Sequence, residues 1–230
     1  MMNMINQAKK SAAIASTELI KNGHIIGLGS GSTATYMIEE LGRRIRREQL
    51  KILAIPTSIR TAELAVQEAI PLTTLDEHPK LDIAIDGADQ VDDALNMIKG
   101  MGGALTREKI VASASKLNII MIDERKLTKK LGDHQPVPVE VMPFAWPTPM
   151  TKFRTLGGNP VLRQAEKKLG PVVTDNGNFL VDVAFGSIDR PNELNQALNN
   201  IPGIIETGLF LELAHVVYVG GQRTVRKLIR

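Results

Sequence analysis

The chain has 230 residues, 28 Lys and Arg against 25 Asp and Glu, and a net charge of +3; it is 43% hydrophobic but only 3% aromatic. It contains no cysteine, which excludes a disulfide framework, a zinc–cysteine module, an iron–sulfur site and a thiol nucleophile. Its four histidines, His24, His78, His134 and His215, share no metal-ligand spacing, and so mild a basic balance with so few aromatics argues against a nucleic-acid reader.

In chain order, Ile5, Ala8, Ala12, Ala15, Leu19 and Ile20 recur at helical spacing, with Gly23 as the expected stop. His24–Gly29 reads as a short buried strand, and a Gly/Ser turn leads into a helix over Thr33–Arg47. Lys51–Pro56 is a strand, Ser58 caps a helix over Ile59–Glu68, and Pro71–Leu75 is a short strand. Leu81–Asp86 is a strand, Ala104–Lys116 a helix and Asn118–Asp123 a strand. Alternating strands and helices predict a Rossmann-like, mainly parallel sheet with helices on both faces. Ligands of such sheets gather at the carboxyl ends of the strands.

After residue 130 the texture changes, with Pro136, Pro138, Pro143, Pro147 and Pro149 crowded together. A strand (Val139–Phe144), a helix (Pro149–Leu156) and a strand (Val161–Gln164) precede a turn at Asp175-Asn176-Gly177; a helix (Pro191–Asn199) and a strand (Ile204–Thr207) follow it. That order predicts a small ferredoxin-like α+β domain over 131–207, inserted in a catalytic domain of 1–130 and 208–230. Ala214–Gly220 returns as a strand, and Val216–Val219 and Leu228–Ile229 read as core strands. Trp146, among the prolines, is expected to anchor the linker, and the Arg43, Arg44, Arg46, Arg47 cluster to form a solvated helix end. No run approaches the ~20 apolar residues of a membrane span. The apolar stretch after Lys9 and Lys10 is cut short by Glu18 and Lys21, so a cytoplasmic protein without membrane contact is expected.

Three strand-ending loops carry the chemistry. Gly27-Leu-Gly-Ser-Gly-Ser-Thr33 opens a helix whose free N–H groups suit an anion, and its hydroxyls add donors. It lacks the lysine of a P-loop and the spacing of a dinucleotide fingerprint, so it is either a phosphate cradle or a tight capped turn. Asp86-Gly-Ala-Asp89 sets two carboxylates three residues apart, suited to sugar hydroxyls or proton transfer, or to an Asx-turn with helix capping. Lys99-Gly-Met-Gly-Gly-Ala-Leu-Thr-Arg-Glu108 places a lysine before a glycine run and an acid in the first helical turn. A helix N-terminus favours the charged carboxylate while burial opposes it, so the sequence leaves the strength of such a base open.

Together these loops resemble ribose-5-phosphate isomerase of the A type. Gly29-Ser-Gly-Ser-Thr33, Asp86–Asp89, Lys99–Lys109, Pro138-Val-Glu-Val141, Val172–Asn178 and Ile201–Phe210 carry the resemblance over nearly the whole chain. It implies interconversion of D-ribose 5-phosphate and D-ribulose 5-phosphate in the non-oxidative pentose phosphate branch, through an enediolate and with no metal or organic cofactor. It implies Glu108 as general base, Asp86 as ring-opening acid/base, and Lys99 with the Gly100, Met101, Gly102 and Gly103 amides around the oxyanion. Asp89, beside Gly87 and Ala88, would orient sugar hydroxyls. Ser30, Gly31, Ser32 and Thr33 would hold substrate near its phosphate, with Lys9 and Lys126 as basic neighbours. The implied partners are a small sugar phosphate and further copies of the chain, as a homodimer or homotetramer, with no nucleic acid. Two positions depart from the pattern: Met101 stands where glycine is frequent, and Gln90 where glutamate is frequent. A non-catalytic sugar-phosphate sensor would need an effector module, and none is visible. A related deaminase or lactonase would be expected to place a histidine in these loops, which hold none.

Overall fold

The computed structural model describes residues 4–222 and 224–230. The chain runs α1 (Met4–Thr17), β1 (Ile25–Leu28), α2 (Ser32–Glu48), β2 (Leu53–Pro56), α3 (Ile59–Gln67), β3 (Leu81–Gly87), β4 (Gln90–Val91), β5 (Met97–Ile98), α4 (Leu105–Ser113) and β6 (Ser115–Asp123). It continues through β7 (Val137–Val141), α5 (Pro147–Thr155), β8 (Asn159–Leu162), β9 (Phe179–Ala184), α6 (Pro191–Asn199), β10 (Ile204–Thr207), β11 (Leu209–Phe210), β12 (Val216–Gly220) and β13 (Val225–Ile229). These elements form two compact units: Met1–Ala88, Arg107–Lys126 and Glu212–Arg230 in the first, Asp89–Thr106 and Leu127–Leu211 in the second.

The first unit is built on a six-stranded sheet of order β13-β12-β6-β3-β1-β2. All its pairings are parallel except that of β12 with β13. Alternate residues point to opposite faces. Ile26, Leu28, Ile83, Ile85, Ile119 and Met121 join the core that Ala12, Met37, Ile38, Leu41 and Ala65 of α1, α2 and α3 complete. On the other face Ala84 packs with Val111 of α4. Helices therefore cover both faces, as the alternating pattern predicts.

The second unit contains the element order βαββαβ over β7–β10, forming an antiparallel sheet of order β10-β7-β9-β8. This is the ferredoxin-like arrangement. Its core gathers Val137, Val139, Val141, Phe153, Val181, Val183 and Leu198, with Trp146 packed against it as the expected anchor. A smaller sheet, β11-β5-β4, was not legible from the sequence, because its strands are two residues long. Pairing of β5 with β11 explains why Asp89–Thr106 groups with the second unit rather than with the span 1–130.

Other elements differ from the sequence reading. Helix α1 stops at Thr17, well before Gly23, where the Arg44 guanidinium takes the carbonyls of Thr17 and Ile20. Helix α4 ends at Ser113 rather than Lys116. The Pro71–Leu75 strand is reduced to a single bridge between Leu72 and Ala54. Strand β13 is an edge strand rather than core, with Ile229 67% exposed.

Candidate active site

In the first unit, β1 leads into the Gly29–Gly31 turn, and the neighbouring β3 carries Asp86 one residue before its end at Gly87. The Asp86 carboxylate accepts from the Ser30 N–H at 3.1 Å and the Gly87 N–H at 2.7 Å, and the residue is buried. Glycine at 29 is required by this approach: a Cβ there would lie 2.0 Å from Asp86 Oδ1 and 2.6 Å from its Cα. The Ser30 hydroxyl sits among three others, donating to Ser58 Oγ at 2.7 Å, with Thr57 Oγ1 at 2.9 Å and Thr61 Oγ1 at 3.0 Å. Thr61 also donates to the Gly29 carbonyl, and Thr57 to that of Leu28, both at 3.0 Å. Thus the turn is braced by the segment after β2, and Ser30 takes part through its backbone as well as its hydroxyl.

The turn then opens α2. Gly31 is its N-cap with φ 109°, and no side chain caps this end. Seventeen residues of aligned peptide dipoles present their positive end there. Lys9 of α1 reaches the same place, its Nζ 2.9 Å from Ser32 Oγ. The structure thus brings together Lys9, Gly31 and Ser32 at a helix end suited to an anion. Thr33 lies in the first turn of the same helix. Lys126 lies in a 3-10 turn, Glu124–Lys126, that follows β6. Beside it, burial pushes the Asp123 carboxyl up, but the hydrogen bond and charge of Arg125 outweigh this and hold it below the usual carboxylate range. Glu108, in the first turn of α4, is only 6% exposed, so its carboxyl is largely withdrawn from water.

In the second unit, Lys99 follows β5 and is 4% exposed. Its N–H donates to the Gly208 carbonyl at 2.9 Å, and its ammonium lies 5.3 Å from the centre of the Phe210 ring. That cation–π contact offsets part of the cost of burying the charge. The Asp89 N–H donates to the Ile98 carbonyl at 2.8 Å, and its carboxylate accepts from the Met101 N–H at 3.0 Å. The Gly103 N–H closes a turn on the Gly100 carbonyl. Of the loop amides expected around an oxyanion, those of Met101 and Gly103 are therefore held within the loop and by Asp89.

Gln90, one of the two departures, is buried; its Oε1 accepts from the Gly132 N–H at 2.8 Å, a structural bond within the second unit. Met101 lies outside the left-handed backbone region that its neighbours Gly100 and Gly103 occupy, so its side chain is accommodated.

Several residues of these surroundings escape sequence reasoning. Glu140 on β7 is fully buried and accepts from Thr106 Oγ1 (2.5 Å), Thr174 Oγ1 (2.8 Å), Asn176 Nδ2 (3.1 Å) and Asn178 Nδ2 (2.8 Å). Thr57, Ser58 and Thr61 brace the glycine turn, and Arg163 reaches the Gly100 and Met101 carbonyls. The available signal was position: Thr57, Ser58 and Arg163 follow strands and Glu140 lies in the stretch 138–141 that carried the resemblance without an assigned role, whereas Thr61, inside α3, had none. Among the described residues, no group of three or more His, Asp or Glu is placed to hold a metal ion.

The fold and these groups define an α/β protein with a glycine turn and Asp86 at the carboxyl ends of the parallel strands β1 and β3 and, in its ferredoxin-like unit, a lysine–glycine loop after β5. Residues 53–224 match the family model described as ribose 5-phosphate isomerase A (phosphoriboisomerase A). The chain belongs to that family. It is 49% identical to the ribose-5-phosphate isomerase A of Thermosynechococcus vestitus, over 97% of each chain. It is 44% identical to the ribose-5-phosphate isomerase of Sus scrofa, over 96% of this chain and 74% of that one. Among solved structures, a D-ribose-5-phosphate isomerase in complex with phospho-erythronic acid superposes with a TM-score of 0.97, at 43% identity over 100% of both chains. Ribose 5-phosphate isomerase A of Methanocaldococcus jannaschii gives 0.93, at 46% identity over 97% of this chain and 98% of that one.

Proposed function

We propose that this chain interconverts D-ribose 5-phosphate and D-ribulose 5-phosphate, the isomerisation of the non-oxidative pentose phosphate branch. The observation that carries the reading is the end-to-end match, at 43% identity, to an isomerase in complex with a phosphorylated sugar acid. Supporting it, Asp86, Lys99 and Glu108 are buried rather than spread over the surface.

Glu108 acts as the base. It takes the C2 proton of the open-chain aldose as the C1 carbonyl oxygen becomes the enediolate oxyanion, and returns it to C1 while the O2 proton passes to O1. Lys99 and the Gly100 and Gly102 amides meet the developing negative charge, while the Met101 and Gly103 N–H groups, bonded to Asp89 and to the Gly100 carbonyl, hold the Gly100–Gly103 loop in shape. Asp86, fixed by the Ser30 and Gly87 N–H groups, serves ring opening, and Asp89 with Gly87 and Ala88 orients hydroxyls. The uncapped α2 end, with Ser30, Gly31, Ser32, Thr33, Lys9 and Lys126, takes the phosphate. Binding energy from that remote group positions C1 and C2 against the base. Every step uses the chain's own side chains and amides, so no metal or organic cofactor is required. Among the described residues no helix is long and apolar enough to cross a membrane. We place the enzyme in the cytoplasm, as a homodimer or homotetramer.

The test is a coupled assay of ribose 5-phosphate conversion. Glu108→Gln should abolish turnover yet bind sugar phosphate; a fully active variant would remove the assigned base.

A further inference from the structure

We propose that Arg163, held by Asp182, is a positioning residue that fixes the peptide planes of the Gly100–Gly102 loop and so decides which amides face the substrate oxyanion; this rests on the isomerase reading above.

Arg163 directly follows β8, and its backbone stays in the ladder: its N–H donates to the Leu180 carbonyl and its carbonyl accepts from Val172, both at 2.9 Å. The side chain therefore leaves from a rigid sheet. Asp182 on β9 accepts from its Nε at 2.8 Å and also from Nη2. Both side chains are largely buried, at 15% and 20% exposure. With one edge of the guanidinium on Asp182, Nη1 is aimed at the loop and donates to the Gly100 carbonyl at 3.1 Å and the Met101 carbonyl at 3.0 Å.

A trans peptide is planar, with C=O and N–H on opposite sides. Carbonyls of 100 and 101 turned to Arg163 therefore turn the N–H groups of Met101 and Gly102 away from it. The Met101 N–H is then received by Asp89 at 3.0 Å. The Gly102 N–H is directed away from the guanidinium, as a donor to an anion must be. Flipping the 101–102 peptide would set a donor against the guanidinium and present a carbonyl oxygen to the oxyanion. A glycine-rich loop does not resist such a flip by itself. An ion pair serving stability alone would not need the fork turned to two loop carbonyls, and lysine lacks the planar fork that joins both carbonyls to Asp182.

The experiment compares Arg163→Met, Arg163→Lys and Asp182→Asn in the full chain, reading kcat and KM for ribose 5-phosphate alongside thermal melting. A displaced oxyanion donor costs on the order of 100-fold in kcat, so Arg163→Met should fall by about that factor. A group acting in the transition state lowers kcat and kcat/KM together, so KM should stay within about threefold. Asp182→Asn should lose roughly tenfold, because the guanidinium remains but its aim is loosened. Arg163→Lys should recover only part of the Met variant's loss. If Arg163→Met does not fold, Asp182→Asn and Arg163→Lys decide by the same split. A folded variant with wild-type kcat, or a loss confined to KM, overturns the proposal. An inactive wild-type chain would instead overturn the isomerase reading.

Discussion

Glu140→Ala is the most demanding test of the second unit. The wild-type carboxylate is fully buried and accepts from two hydroxyls and two amide N–H groups, supplied by Thr106, Thr174, Asn176 and Asn178. Truncation leaves the buried Thr174 hydroxyl and the part-buried Thr106, Asn176 and Asn178 donors facing a cavity. Each buried donor left unmatched costs about 1–3 kcal/mol. The two hydroxyls can rotate towards other acceptors, so only the two amides need carry the full cost. That gives about 2–6 kcal/mol, against a domain stability of roughly 5–15 kcal/mol. Glu140→Gln keeps the shape and one oxygen; its NH2 can donate to the Thr106 hydroxyl if placed at the Oε2 position, for a cost near ~1 kcal/mol. Urea titration should therefore show a large drop in midpoint for Ala and a small one for Gln. Thr106 stands two residues before Glu108, so kcat should fall in the same order. If the alanine variant unfolds at the wild-type urea concentration, the four-donor argument is wrong.

The remaining predictions concern the first unit. Gly29→Ala forces a carbon to 2.0 Å from Asp86 Oδ1, so Asp86 or the turn must move; overpacking of this kind costs about 1–3 kcal/mol, and kcat should fall by roughly 100-fold. A variant with unchanged kcat would remove Asp86 from the proposed chemistry. Lys9→Met should raise KM for ribose 5-phosphate more than it lowers kcat, and steady-state kinetics reversing that split would deny Lys9 a phosphate role. The carboxyls of Asp82, through its Lys116 hydrogen bond and the Ile25 N–H, and Asp123, through Arg125 against burial, titrate below their usual range. Their folded pKa values lie under the unfolded ones, so their contribution is full above about pH 4 and is lost as pH falls further. Melting temperature should drop through that acid window, and Asp82→Asn with Asp123→Asn should flatten the slope; an equally steep double variant would refute the assignment. Dialysis against a chelator should leave the isomerisation rate unchanged, and a loss restored by a divalent cation would contradict the proposed chemistry.

The two sheets were legible because their signals are local and repeated. Apolar runs bounded by glycine and charge mark β1, β3, β6 and β12, and helical periodicity marks α1 and α2. What escaped has a physical reason in each case. Strands β4, β5 and β11 are two residues long, too short for any period, and exist only through pairing between distant segments. The end of α1 is decided by Arg44, an arginine 27 positions beyond Thr17, rather than by Gly23. The Pro71–Leu75 strand has suitable residues but bridges Ala54 only at Leu72. Among site residues, the glycine turn, the aspartates and the lysine–glycine loop announce themselves by spacing. Their supports do not, because Thr57, Thr61 and Arg163 are ordinary residues whose meaning lies in what they touch.

The three stretches that carried the resemblance without roles have a common physical logic. From 138–141 comes Glu140, which holds Thr106 at the start of α4. From 172–178 come Thr174, Asn176 and Asn178, which satisfy the rest of that carboxylate. From 201–210 come Gly208, whose carbonyl takes the Lys99 N–H and whose missing Cβ would lie 2.4 Å from the Lys99 carbonyl oxygen, and Phe210, whose ring lies near the Lys99 ammonium. All converge on the segment from Lys99 to Thr106. A loop rich in glycine is free to bring amides to an anion, but that freedom must be removed before substrate arrives if the amides are to favour the transition state. The second unit removes it with a buried carboxylate, a forked arginine and a close backbone contact, each anchored in a sheet. These hydrogen bonds, set beside an apolar core, thus hold a glycine-rich segment in one conformation.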